Sequence, residues 1–281
     1  MKTGKVNPVG TCVARTLKIT LAGLAIHPLS LTLVATLLLA AGGVRAHADD
    51  ANPSILPPNS RPYGKTYGQW EAAHWQWLYS LQVASNPLFK DGNVDLSLSQ
   101  PPGPVWFLGG TFSTTPGPGG PVNLANRTGT VPAGKALFFP IIDFEIDNAV
   151  PPPGTNTTFT TAELRAQAKA VMDGASGITC TIDGVAVNNL ANVLTTPYRV
   201  TTPVFNYRLP ATDNVDQFFG ANISGLITGA VADGVSLMLA PLPPGQHTIH
   251  FTGAIPSFSF ALDITYNITV TPSSDGNADD N

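Results

Sequence analysis

Asp143, Glu145 and Asp147 stand at i, i+2 and i+4 in a run otherwise filled by Phe144 and Ile146. In an extended chain alternate residues share a face. Three carboxylates would then line up about 6–7 Å apart, at a rise of about 3.3 Å per residue. Such a row could supply a general acid/base pair to a cleft, or oxygen ligands to a hard cation such as Ca²⁺. Ile142, Phe144 and Ile146 would point the other way, into a core. The same alternation also fits a solvated outer face, because crowded like charges repel unless water or a partner compensates them.

A second group is aromatic. Trp70, Trp75 and Trp77 fall within eight residues, with Tyr67, Glu71, His74 and Leu78 around them. At helical spacing Tyr67, Trp70, His74, Trp77 and Leu81 form one stripe, and Glu71, Trp75 and Leu78 form the next. Stripes of this kind usually dock a helix on a core, with the indole N–H groups hydrogen-bonded. They can also form a ring-stacking surface for a glycan, with Glu71 and His74 as polar handles. Trp75, beside Glu71, is the ring best placed to reach such a ligand. Glu71 and His74 have the spacing of two metal ligands on one helix, but a di-iron site needs two such pairs and two further carboxylates.

Other polar residues are less specific. His247 and His250, three apart on a strand, face opposite ways and cannot easily share a metal. His247 should point inward with Ile249 and Phe251, tying a corner after Leu242 and Gly245. Cys180 reads as a buried strand residue. His47 would become a copper ligand only as a mature N-terminus, where amine and imidazole could start a brace like that of copper-dependent polysaccharide monooxygenases. G-x-S-x-G, H-E-x-x-H, Walker and dinucleotide-binding patterns are absent.

The elements that must position these groups can be read from periodicity. Thr66 and Gln69 have capping-box spacing, so a helix is expected over 67–81, stopped near Asn86 and Pro87. Strands are expected over 105–112 and 131–147, the latter edge-placed or interrupted at Pro140. A Gly/Pro loop is expected over 113–121 and another from 151. Thr160 and Glu163 cap a second helix, with Leu164, Ala168, Val171 and Met172 inward and Gly174 at its end. Asp183-Gly184 is a two-residue hairpin turn. Further strands are expected over 198–209, 236–242 and 258–270. The last alternates strictly, with Phe258, Phe260, Leu262, Ile264, Tyr266, Ile268 and Val270 on its buried face. Together these elements predict a mainly β fold: an antiparallel β-sandwich, jelly-roll-like, with an N-terminal Trp-rich helix and one further short helix.

Residues 1–48 read as a cleaved secretory signal, with a basic start, an apolar stretch at 30–44 and small residues at Ala46 and Ala48. The apolar stretch is shorter than the roughly 20 residues of a spanning helix. Cleavage before His47 or before Asp49 fits the pattern. Removing 1–48 takes away five of fourteen Lys/Arg and none of the eighteen Asp/Glu, leaving a formal charge of −9. That balance argues against nucleic-acid or anionic-membrane partners. Residues 49–271 then form one β-sandwich domain with a helical N-terminal segment, and 272–281 form a disordered acidic tail.

Several blocks resemble a family of exported bacterial proteins of unknown function. They are Tyr67-Gly68-Gln69-Trp70 through Trp77 and Ser80, Asn86-Pro87, residues 103–108, residues 131–140 (VPAGKALFFP), Tyr198-Arg199, residues 203–205, Asp233-Gly234 and residues 241–253. The resemblance implies no activity. In that family position 74 is more often aromatic, and a cysteine often precedes the strand at 131. His74 and the missing cysteine depart from the pattern, which argues against a general catalytic role for His74.

The expected function is therefore binding of a glycan or cell-envelope component by an exported protein, through Trp70, Trp75 and Trp77 with Glu71 and His74. The alternatives are a secreted glycan-active hydrolase or lyase using Asp143, Glu145 or Asp147, and the copper enzyme that depends on His47.

Overall fold

The computed structural model describes residues 54–112, 114–117, 120–151 and 155–272. The leader, His47 and the tail from 273 onward lie outside them. Among the described residues there are three α-helices: α1 (Tyr67–Tyr79), α2 (Thr161–Asp173) and the single turn α3 (Val215–Phe218). The strands, in chain order, are β1 (Gly92–Asn93), β2 (Val105–Phe107), β3 (Thr114–Gly117), β4 (Gly120–Pro132), β5 (Ala136–Ile146) and β6 (Ser176–Ile182). They continue as β7 (Val185–Ala186), β8 (Arg199–Thr201), β9 (Phe205–Leu209), β10 (Gly225–Leu239), β11 (Gly245–Ile255) and β12 (Phe260–Thr271).

The strands build a β-sandwich. One sheet runs β1-β4-β12-β11-β6-β7, with β3 on β4; the other runs β2-β5-β10-β8, with β9 on β10. Most pairs are antiparallel, but β1–β4, β4–β12 and β2–β5 are parallel. The two sheets meet where β5 faces β11. Phe139 stacks on Phe251 at 5.2 Å between centroids, and Phe251 continues to Tyr266. Each such ring contributes about 1.5–3 kcal/mol by leaving water. Gly253 lets the sheets close there, since a Cβ on it would sit 3.0 Å from Ile142.

α1 begins where its capping box predicts. The Gln69 amide N–H donates to Thr66 Oγ1, and Gln69 Oε1 accepts from the Thr66 amide. It ends at Tyr79, two residues before the expected Leu81. Buried Asn86 accounts for the stop: its side-chain amide donates to the Leu78 carbonyl at 2.8 Å, and its oxygen accepts from the Leu88 N–H. α2 has the same reciprocal cap between Thr160 and Glu163 and buries Leu164, Ala168 and Met172. At the expected hairpin, Asp183 and Gly184 both have positive φ, as a type I′ turn between β6 and β7 requires.

Several expected elements are redrawn. The run 131–147 is two strands, parted by a turn at Gly134. Pro140 sits as its chemistry asks: the pairing with β2 ends at Phe138, so β5 has no strand partner on that side there, and the pairing with β10 shifts register beside it, where a missing N–H costs little. Part of the expected Gly/Pro loop forms the β3–β4 hairpin. Strand 105–112 keeps only Val105–Phe107, and 198–209 splits into β8 and β9. The last strand starts at Phe260, because Ser259 turns the chain with φ +50°; Phe258 falls in the turn before it, and Phe258 and Phe260 are half-buried rather than in the core. α3 is an addition, capped by Asn214, whose oxygen accepts from the Gln217 N–H. No helix among the described residues is long and apolar enough to cross a membrane.

Candidate functional site

The aromatic helix and the carboxylate row meet. α1 packs on the face of β5 that carries Asp143 and Glu145, with Asp147 immediately after the strand's end. Four helical residues advance about 6 Å, and two strand residues about 6.6 Å. Glu71, Trp75 and Tyr79, each four apart, therefore keep nearly the step of the three carboxylates. Glu71 and the Trp75 indole face Asp143. The Tyr79 hydroxyl donates to Glu145 Oε2 at 2.8 Å. From β9, the Tyr207 hydroxyl donates to Asp147 Oδ2 at 2.5 Å, and its ring lies 4.3 Å from that of Tyr79. Asp216 of α3 closes this end, 2% exposed.

The row is thus largely covered, with Asp143, Glu145 and Asp147 each half-buried and one oxygen of Asp143 and of Glu145 sealed, not the wet outer face that alternating charges normally make. Glu71 is fully buried; Ser236 Oγ donates to its Oε2 at 2.7 Å, and its Oε1 has no hydrogen-bond partner. Gly234 of β10, paired with Asp143, leaves room for this arrangement. A Cβ there would collide with the Asp143 Cβ and reach Glu71 Oε1 at 2.8 Å. The Trp75 N–H stabilises the Asp143 carboxylate as a nearby dipole, but not in hydrogen-bonding alignment: Trp75 Nε1 and Asp143 Oδ2 are both unpartnered. Glu145 Oε1 and Asp216 Oδ2 are likewise sealed and unpartnered.

Electrostatics follow from this packing. Two carboxylates about 6.6 Å apart repel by about 2.5 kcal/mol at an effective dielectric near 20. None of the five carboxyls makes an ion pair among the described residues. Burial pushes Asp143 up to about 7 and Asp216 up to about 6, the latter helped by Asp147. Burial, then the charge of Asp143, raises Glu71 well above the usual carboxylate range. Glu145 is raised in the same way by burial and then by Asp147, against the donor from Tyr79. Asp147 is also raised by burial, though Tyr207 and the Ala149 N–H oppose it. Arg199 forks onto Asp233, next to Gly234, with two bonds of 2.9 Å. Arg199 also bonds Asp173 at 2.7 Å. These are the chemical properties of proton holders (carboxyls kept neutral by desolvation and by one another).

The other side of α1 is aromatic core. His74 is 2% exposed, among Phe107, Phe138 and Trp77, with Nε2 2.8 Å from the Leu108 carbonyl and Nδ1 unpartnered. Burial lowers its pKa to about 4. Glu71 and His74 turn to different sides of the helix, and no group of three His, Cys, Asp or Glu among the described residues is placed to hold a metal ion. Trp70 donates its indole N–H to the Pro62 carbonyl and packs edge-on to Phe107; Trp77 packs on Phe107 as well. Trp75, expected to reach outward, is 8% exposed and lies over the carboxyl row beside Tyr79. Cys180 is buried, and its thiol is pushed up to about 12. His247 ties a corner, bonding Asp183 and the Pro243 carbonyl, but lies near the surface rather than fully inward. His250 pairs separately with Asp263.

Ten of the thirteen α1 residues are buried, the mark of a helix enclosed on nearly all sides. The open strip is Gln69, Ala73 and Gln76, at i, i+4 and i+7. A groove of about 380 Å³ opens beside it, between α1 and the segment 99–105. Lys65, Trp70, Gln76, Trp77, Pro101 and Pro104 contribute to its walls. Lys65 Nζ stands 4.5 Å from the centre of the Trp70 ring. A second groove, about 300 Å³, lies on the other side of Trp77, toward Pro87, Lys90 and Asp95.

Some of these residues carry little sequence signal. Tyr79 extends the Glu71–Trp75 stripe by one turn and was within reach of periodicity. Tyr207 and Asp216 come from distant elements with no local mark. Arg127, isolated in the sequence, is a fully buried hub. It donates to the carbonyls of Pro87, Lys90, Gly109 and Gly110 and to the Tyr266 hydroxyl, thereby fixing the loops after α1 onto β4.

No protein-family model and no curated protein matches the chain. Among solved structures, one chain from "Structure of PbICP-C in complex with falcipain-2" is similar over 60% of this chain and all of its own length. It is 15% identical, with a TM-score of 0.22.

Proposed function

We propose that this chain is an exported, non-catalytic β-sandwich protein that binds a glycan or another cell-envelope component in the groove beside α1. One observation carries the reading: the enclosed helix is open only along Gln69, Ala73 and Gln76, and there a groove joins the edges of two indoles and three prolines to a few polar groups. Apolar walls with a few placed polar groups, at a volume of a few hundred Å³, are what small-ligand sites generally offer. The C–H face of a sugar ring would lie against Pro101, Pro102 and Pro104 and reach only the exposed edges of the largely buried Trp70 and Trp77. Its hydroxyls would meet Gln76, Ser80, Ser99 and Lys65. Lys65, resting over Trp70, would swing aside as the ring is taken up. Export rests on the leader at 1–48.

Retention on a panel of insoluble polysaccharides tests this reading. Ala73→Arg, which fills the groove from a partly open position, is expected to abolish retention, and Lys65→Ala to weaken it. Equal retention of wild type and Ala73→Arg would remove the groove as the site.

The hydrolase or lyase reading draws on one feature, an Asp143 carboxyl that titrates near neutral pH and so suits acid/base exchange. Sealed carboxyl oxygens under α1 weigh against it, because a substrate would have to displace the helix. Equal activity of Glu145→Gln and wild type on the same polysaccharides would end it.

A further inference from the structure

The carboxyl row has no role in the groove reading, and its construction is unusual enough to need one. Five carboxyl groups are packed into one seam: Glu71 of α1, Asp143 and Glu145 of β5, Asp147 just past its end, and Asp216 of α3. The groups facing them are Trp75 and Tyr79 from α1, Tyr207 from β9, and Ser236 and Asp233 from β10. Arg199 of β8, the cation at Asp233, is already forked onto that carboxylate and bonded to Asp173 of α2, which also holds Lys169. Buried oxygens of Glu71, Asp143, Glu145 and Asp216 have no partner. Unpaired carboxylates sealed in this way would repel each other and lack solvation, whereas carboxylic acids would not.

We propose that this row is a proton-loaded latch: neutral carboxyls hold α1 and β9 on β5, and ionisation of the row as pH rises loosens the seam. The sign follows from linkage. These carboxyls are raised in the folded protein, so the unfolded chain releases their protons first. Stability from the row is full below the ordinary carboxylate range and is lost as pH rises through the raised values. Tyr79 and Tyr207 bond the row from the two elements that would move, so loosening should be felt first at α1 and β9. The latch stands whether or not the groove binds a glycan.

Hydrogen exchange of the full chain, corrected for the intrinsic pH dependence of exchange, tests the latch between about pH 5 and about pH 8.5. Wild-type α1 and β9 are expected to lose protection about tenfold or more across that range, with β11 and β12 unchanged. Asp143→Asn and Glu145→Gln, which fix the neutral shape, are expected to keep α1 protected at the upper pH. Flat protection in wild type, or single variants that loosen with pH as wild type does, would overturn the latch. So would recovery of α1 protection on adding Ca²⁺ or Mg²⁺ at the upper pH, since the row would then be a cation site. If a variant fails to fold, the wild-type profile with and without those cations still decides.

Discussion

The Tyr79 hydroxyl donates to Glu145 Oε2 at 2.8 Å, so the last residue of the aromatic helix is bonded to the middle of the carboxyl row. This bond joins the two features that the sequence presents separately, and it puts both on the inside. Removing the donor should leave Glu145 with two unsatisfied oxygens. Tyr79→Phe is therefore expected to cost about 1–3 kcal/mol in chemical denaturation. The loss should grow with pH, because the bond favours the charged form of Glu145 and its removal raises that pKa further.

His74 works in the opposite direction to the row. Its folded pKa of about 4 lies below the ordinary histidine value near 6.5, because burial disfavours the imidazolium. As pH falls, the unfolded chain takes up the proton first. The stability associated with His74 is full above about 6.5 and is lost as pH drops toward about 4. His74→Phe, which keeps an aromatic ring among Phe107, Phe138 and Trp77, is expected to flatten this acid loss in melting curves measured over that window. A variant whose acid-side slope equals that of wild type would show that His74 stays neutral in both states or is protonated in the fold.

Arg127 should be among the most sensitive positions. Its guanidinium serves four backbone carbonyls and one tyrosine hydroxyl, all in the interior. Arg127→Met would strand those acceptors, and Arg127→Lys cannot reproduce the planar fork. Both are expected to lose at least about 3 kcal/mol, read as a lowered urea midpoint. A loss under about 1 kcal/mol would mean that water readily replaces the guanidinium.

Local rules account for much of the fold and for only half of the site. Thr66/Gln69, Thr160/Glu163 and Asp183-Gly184 act within a few residues, and each cap or turn forms as its chemistry requires. Period-two alternation places Leu262, Ile264, Tyr266, Ile268 and Val270 in the core for the same reason. Pro140 marks an irregular, locally unpaired stretch of β5, as its missing N–H implies: β2 stops pairing at Phe138, and the register with β10 shifts between Pro140 and Ile142. The carboxylates share a face, as alternation predicts, but what covers that face is tertiary. Glu71, Tyr79, Tyr207 and Asp216 converge from elements far apart in the chain. Trp75 turns inward for a related reason: α1 is enclosed by β5, β9 and the loops after it, so the open strip falls on Gln69, Ala73 and Gln76 rather than on any indole.

The indole N–H signals give the most direct test of where a ligand would sit. In two-dimensional NMR of the full chain, oligosaccharide fragments of a retained polysaccharide would be titrated in and the four tryptophan side-chain signals followed. The expected result is movement of the Trp70 and Trp77 signals, which border the groove, with Trp75 and Trp106 unmoved. Movement of Trp75 without Trp70 and Trp77, or of no indole at ligand levels that saturate retention, would contradict binding in the groove beside α1.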